Sequence, residues 1–223
     1  LLVFSNCKLS HRMKIELIDV LPEPIPANAG KESEVWMSNW VLDAGKRHLV
    51  SGVSGRGKST LLQILCGIRT DFSGKLILDG KDSQKISPEE WTVIRSQKVS
   101  LLFQDLRLFP ELTALENIHL IPAGSKNSKD IEKMSKRLGI HQLLDKRCSL
   151  LSQGQRQRVA LMRALSRPFE ILLLDEPFSH LDEGNALLAW NIVGEELELQ
   201  NAGLILTALN ESSHLEANEI WKL

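Results

Sequence analysis

The run Gly52-Val53-Ser54-Gly55-Arg56-Gly57-Lys58-Ser59 constrains this chain more than any other part of it. It follows His48–Ser51, a short stretch that reads as a buried strand. It precedes Lys58–Cys66, where Leu61, Leu62 and Leu65 recur at helical spacing. A glycine-rich turn from strand to helix lets successive backbone N–H groups point inward, and the helix presents its positive end to the same spot. Lys58 adds a point charge for the terminal phosphates of a nucleotide, and the Ser59 hydroxyl adds a hard oxygen for Mg²⁺. Gly52, Val53, Ser54, Gly55, Arg56, Gly57, Lys58, Ser59 and Thr60 therefore read as one nucleotide-binding loop.

A second acidic element fits the first. Ile171-Leu172-Leu173-Leu174-Asp175-Glu176-Pro177 is an apolar strand ending in two carboxylates. Asp175 is placed to complete the Mg²⁺ shell opposite Ser59, and Glu176 to orient or deprotonate an attacking water. Loop and acidic strand together specify a P-loop NTPase, with Lys58 and Glu176 as the catalytic pair.

Further strands are expected at Ile15–Val20 (as an edge strand), Val35–Leu42, Lys75–Leu78, Val99–Phe103 and Leu204–Thr207. Helices are expected around Leu115–Leu120, Ile131–Leu138, His141–Asp145, Gln153–Leu165 and Asn185–Leu199. The helix-rich stretch 113–165 interrupts the strand pattern, which predicts a parallel sheet carrying a helical insertion. A length of 223 residues suits one such domain. Residues 1–12 are expected to be a leader outside the fold, with Met13 as the start. Trp36 and Trp40, set in one strand-like segment, are expected on the same face, in core packing rather than stacked on a base.

Composition removes several classes. A net charge of −1 offers no broad basic surface for nucleic acid or anionic lipid. The three cysteines have no CxxC spacing and the six histidines no HExxH, so neither a disulfide framework nor a zinc site is indicated. No apolar run approaches the roughly 18–20 residues a membrane span needs, so direct membrane insertion is not expected.

The segment Leu151-Ser152-Gln153-Gly154-Gln155 and the helix after it resemble the LSGGQ signature of ABC ATPases, with Gln153 in place of the first glycine. From Ile15 to Leu206 the chain is similar to the ABC nucleotide-binding domain in order and spacing, with a Q-loop at Phe103-Gln104-Asp105 and a D-loop at Ser179-His180-Leu181-Asp182. The resemblance implies an α/β P-loop NTPase core with a mixed sheet, an N-terminal antiparallel β subdomain and an inserted ABC-type α-helical subdomain. It implies Mg-ATP, with Gln104 joining Ser59 and Asp175 at the metal. It also implies a homodimer or pseudo-dimer in which Ser152, Gln153, Gly154 and Gln155 of one subunit meet the other's nucleotide, with Asp182 nearby. The implied partners are membrane permease subunits, the place the cytoplasmic face of the cell membrane. The implied activity is ATP hydrolysis coupled to transport; the alternative is an ATP-gated clamp that hydrolyses weakly. The wording from Phe103 to Asn117 looks most like the lipoprotein-releasing, macrolide-export and cell-division subgroup. Within it, Leu106, Leu108, Phe109 and Leu112 form either a docking groove for a permease helix or a satellite of the core. A bland reading of LSQGQ also stands: a serine N-cap with glutamine three residues on.

Two family features are missing. The strand Leu204–Thr207 is followed by Ala208, where the family usually has a histidine that bonds the γ-phosphate; His214 and His180 are the candidates to replace it. The family also places an aromatic ring after the first strand to stack on adenine, yet the chain has no Tyr and Leu21–Pro26 holds no aromatic residue. Slow turnover is the expectation.

Overall fold

The computed structural model describes residues 13–23, 25, 32–43, 45–120, 126–209 and 217–223. The expected leader and His214 lie outside the described residues. Two sheets form. The antiparallel one has β1 (Lys14–Pro22) between β2 (Asn39–Asp43) and β4 (Phe72–Leu78), with the short β5 (Lys81–Asp82) beyond β4. The other is parallel throughout, in the order β6 (Val99–Leu102), β7 (Ile171–Asp175), β8 (Gly203–Ala208), β3 (Arg47–Ser51), β9 (Glu219–Lys222).

The central strand β7 is buried along its whole length, as a strand covered on both faces must be. Alternate residues sort to opposite sides. Leu173, with Ile205 of β8 and Val50 of β3, joins the core built by α1 (Lys58–Leu65) and the antiparallel sheet. Leu172, Leu174, Leu204 and Leu206 join the core built by α5 (Gln153–Leu165) and α6 (Glu183–Gln200); between α1 and these two come α2 (Pro88–Gln97), α3 (Ala114–His119) and α4 (Ser128–Arg137). Truncating any of these buried leucines to alanine costs about 2–5 kcal/mol in comparable cores.

Three expectations change. Strand β1 is not an edge: Leu17 pairs with Trp40 on one side and Leu76 on the other. The second strand starts at Asn39 rather than Val35. Residues 34–38 instead make a turn, with Met37 at φ 55 donating its N–H to Val20 and the Ser38 hydroxyl bonding the Glu34 and Val35 carbonyls. Trp36 and Trp40 therefore share no strand. Helix α2 and strand β9 were not expected. Yet α2 carries a full start signal: Ser87 caps the Glu90 N–H, Glu90 returns a bond to the Ser87 N–H, and Pro88 opens the helix.

The parallel arrangement gathers the C-terminal strand ends on one rim, where open α/β sheets bind ligands. Ser51 of β3 lies beside Ala208 of β8, and Thr207 lies beside Asp175 of β7.

Candidate active site

Residues 52–57 leave β3 and enter α1. Gly55 and Gly57 stand at φ 84 and 95, a conformation side chains rarely adopt. Gly57 is the N-cap of α1 and has no side chain to cap it. The leading amides of α1 thus meet a cavity of about 390 Å³ lined by Ser54 through Thr60, Gln104 and Glu176. An uncapped helix start, unsubstituted glycines and a buried cation are what a phosphate chain needs.

Lys58 is 5% exposed and fully engaged. Its Nζ donates to the Gly52 carbonyl at 2.7 Å and the Val53 carbonyl at 3.3 Å, and it pairs with Glu176 Oε1 at 3.3 Å. The other Glu176 oxygen accepts from Gln104 Nε2 at 3.4 Å. Three residues singled out from separate parts of the sequence therefore converge on one spot. Asp175 is also buried, and its Oδ1 accepts from the Thr207 hydroxyl at 2.7 Å.

Glu176 adopts a left-handed conformation, φ 47, that its neighbours hold on both sides. Its N–H donates to the Thr207 carbonyl and hydroxyl oxygen, each at 3.2 Å. Its carbonyl accepts from Gln157 Nε2 and the Ser179 hydroxyl, each at 3.1 Å. His180 completes the strap: its Nδ1 lies 3.1 Å from Gln157 Oε1 and 2.9 Å from the Ser179 oxygen. Since Ser179 gives its proton to the Glu176 carbonyl, Nδ1 must be the protonated ring nitrogen. His180 is thus held within the D-loop and does not line this chain's cavity. Replacing the buried Gln157 by leucine leaves the Glu176 carbonyl short of a donor. The expected loss is about 1–3 kcal/mol of folding stability, measured by urea denaturation.

The signature residues sit elsewhere. Ser152 caps α5 and Gln155 completes the capping box, so the bland reading holds as local structure. None of Ser152 to Gln155 lines the cavity around Lys58. Gln153 accepts from Arg156 Nη2 at 2.6 Å. Gly154 is tightly placed: a Cβ there would stand 2.9 Å from the His180 carbonyl oxygen. Asp182 caps α6 by accepting from the Asn185 backbone and side-chain amides, bonds that hold its carboxyl below the usual range. Burial pushes the Cys66 thiol up to about 11, so it is an inert core group.

Trp40 is core, edge-on to His48 and Trp221. Trp36 is buried too, but it reaches the cavity lining. Its Nε1 donates to the Arg56 carbonyl at 3.3 Å, and its ring stands where a Cβ on Gly57 would meet it at 3.2 Å. Of the suggested groove, Leu106 is core, Leu108 and Leu112 are half-buried and Phe109 is 55% exposed. Sequence reasoning missed Thr207 and Gln157, and also Arg69, which lines the cavity; none carries a motif of its own.

Fold and rim define a parallel α/β protein with a phosphate cradle at its strand ends. The ABC transporter family profile matches residues 37–179, and the chain belongs to that family. It is 42% identical over 146 residues to the thiamine import ATP-binding protein ThiQ of Vibrio vulnificus strain YJ016, covering 63% of this chain and 60% of the relative. ThiQ of Shigella flexneri serotype 5b (strain 8401) is 38% identical over 172 residues, 75% of this chain and 72% of that one. Among solved structures, the dimeric bacterial ABC transporter cassette MJ0796 superposes with a TM-score of 0.74 at 24% identity, over 88% of each chain. These relatives give no support to the narrower likeness to the lipoprotein-releasing, macrolide-export and cell-division subgroup. The Phe103–Asn117 wording has a folding reason instead. Buried Asn117 accepts from the Phe109 N–H and donates to the Phe109 and Thr113 carbonyls, while Thr113 and Glu116 cap α3. Such a turn serves any partner.

Proposed function

We propose that this chain binds Mg-ATP at the 52–60 loop and hydrolyses it, as the ATP-binding subunit of a membrane transport complex. The convergence of Lys58, Gln104 and Glu176 on the uncapped start of α1 carries this reading. The phosphates take over the bonds Lys58 makes to the loop carbonyls and Glu176, which frees Glu176 to orient water. Mg²⁺, when bound, supplies a Lewis acid that neutralises phosphate charge. Ser59, Asp175 and Gln104 offer it oxygen donors, and Thr207 holds Asp175 in place. Ser152, Gln153, Gly154 and Gln155, remote from the chain's own cavity, are assigned to the nucleotide of a second subunit in an ATP sandwich. Asp182 sets the D-loop at that face.

The exposed Phe109 and Leu120 flank a small groove with Phe103, Arg163 and Arg167, the surface we assign to a permease's cytoplasmic segment. No helix among the described residues is long and apolar enough to cross a membrane, which fits a peripheral place on the cytoplasmic face. The names of the Vibrio and Shigella relatives support import as the direction. The test is calorimetry of Lys58→Ala with Mg-ATP. Affinity is expected to fall about 10–100-fold, the worth of one or two charge-assisted hydrogen bonds; unchanged affinity overturns the assignment. Ala208 favours a second reading, an ATP-gated clamp with little hydrolysis.

A further inference from the structure

The cavity at the phosphate loop runs on past it. Besides the loop, it is lined by Glu23 and Ile25 after β1 and by Arg69 after α1. If the loop takes the phosphates, as proposed above, whatever they are attached to must lie against these residues. Arg69 is held there from several directions. Its Nε and Nη2 donate to the two Asp71 carboxylate oxygens at 2.7 and 2.8 Å, and Nη2 also donates to the Glu23 carbonyl. Its Nη1 reaches the Thr60 hydroxyl, in the first turn of α1, at 3.5 Å.

The N–H groups of a guanidinium all point outward in its plane. The bonds to Asp71, Glu23 and Thr60 use most of these donors and fix the plane's orientation, so the group's flat face is what it has left to offer a ligand. The side chain is 26% exposed, at the cavity's edge. A fixed, delocalised, planar cation stacks on aromatic faces, and a less hydrated charge such as guanidinium loses little by doing so. No aromatic residue occurs between Leu21 and Val35. Trp36 is 2% exposed, its ring covered by the loop itself. Ile25 supplies an apolar surface close to Gly57.

We propose that Arg69, braced by Asp71 and the Glu23 carbonyl, is the stacking platform for the purine base, with Ile25 as its apolar wall. The test is calorimetry of wild type, Arg69→Ala, Arg69→Lys and Lys58→Ala against Mg-ATP and against magnesium tripolyphosphate, which has phosphates and no base. Both Arg69 variants should lose about tenfold in ATP affinity, the scale of a desolvated cation–π contact, while holding tripolyphosphate as wild type does. The lysine keeps the charge but not the plane, so its loss identifies stacking. Wild-type ATP affinity in either Arg69 variant overturns the proposal. So does a matching loss of tripolyphosphate, which would mark a general charge or folding effect. Lys58→Ala separates the two levels. If it weakens both ligands while the Arg69 variants stay normal, the platform alone is wrong; if it weakens neither, the phosphate assignment fails and this inference with it.

Discussion

Replacing Glu176 by glutamine is expected to reduce ATP turnover by about 10²–10⁴, the usual contribution of a positioned general base. Nucleotide affinity should hold or rise. The Glu176 carboxylate pairs with Lys58 at 3.3 Å and is only 10% exposed, so it competes with phosphate for that ammonium. Removing its charge frees Lys58 and lessens repulsion of the γ-phosphate, while glutamine keeps the shape and the contact to Gln104. With ATP bound and uncleaved, closed dimers should accumulate if Ser152 to Gln155, which do not line the chain's own cavity, meet the nucleotide of another copy as proposed above. Size-exclusion chromatography of Glu176→Gln with and without Mg-ATP measures this. Adding Ser152→Arg puts a bulky cation at an exposed helix start and should abolish the dimer. A double variant that still dimerises with ATP would sink the sandwich.

Which parts of this site were legible in advance follows from how local their determinants are. The loop at 52–60 and the strand ending in Asp175-Glu176 are contiguous, and their chemistry depends on neighbours in sequence, so both were readable with their elements in place. The α5 start was equally plain, because Ser152 and Gln155 make a capping box within one turn. Strand β1 was misjudged because alternating burial reports one buried face and says nothing of how many strands pair alongside. Trp36 shows the same limit. Its segment has strand-like residues, but the long-range bonds of Met37 to Val20 and of Asp19 to Ser38 fold it into a turn that delivers the indole to the loop. Thr207, Gln157 and Arg69 act through partners many residues away in the sequence, Asp175 and Glu176 for the first two and Glu23 for the last. No spacing rule encodes such pairs. The Asn117 turn misled in the opposite way, since a motif that looked like a mark of one transporter subgroup is a solution to closing a loop onto α3.

Restoring a histidine at position 208 is expected to raise turnover by about 10²–10³, the worth of one donor aimed at charge that develops in the transition state. The backbone neighbours of that position belong to the site. Ala208 ends β8 beside Ser51, its carbonyl accepts the Gly52 N–H at 3.3 Å, and Thr207 next to it already serves Asp175 and Glu176. An imidazole there would stand at the junction of the phosphate loop and the acidic strand, whereas a methyl group offers nothing to the γ-phosphate or the water. His180 is held by Gln157 and Ser179 in the D-loop. Because the gain is confined to the transition state, ATP affinity of Ala208→His should stay close to wild type while the rate rises. Adding Glu176→Gln should cancel the gain, since a donor without a base has no attacking water to assist. Steady-state phosphate release from wild type, Ala208→His and His214→Ala decides the matter. A wild type that turns over as fast as Ala208→His, and keeps that rate in His214→Ala, would show that hydrolysis here needs no histidine at all.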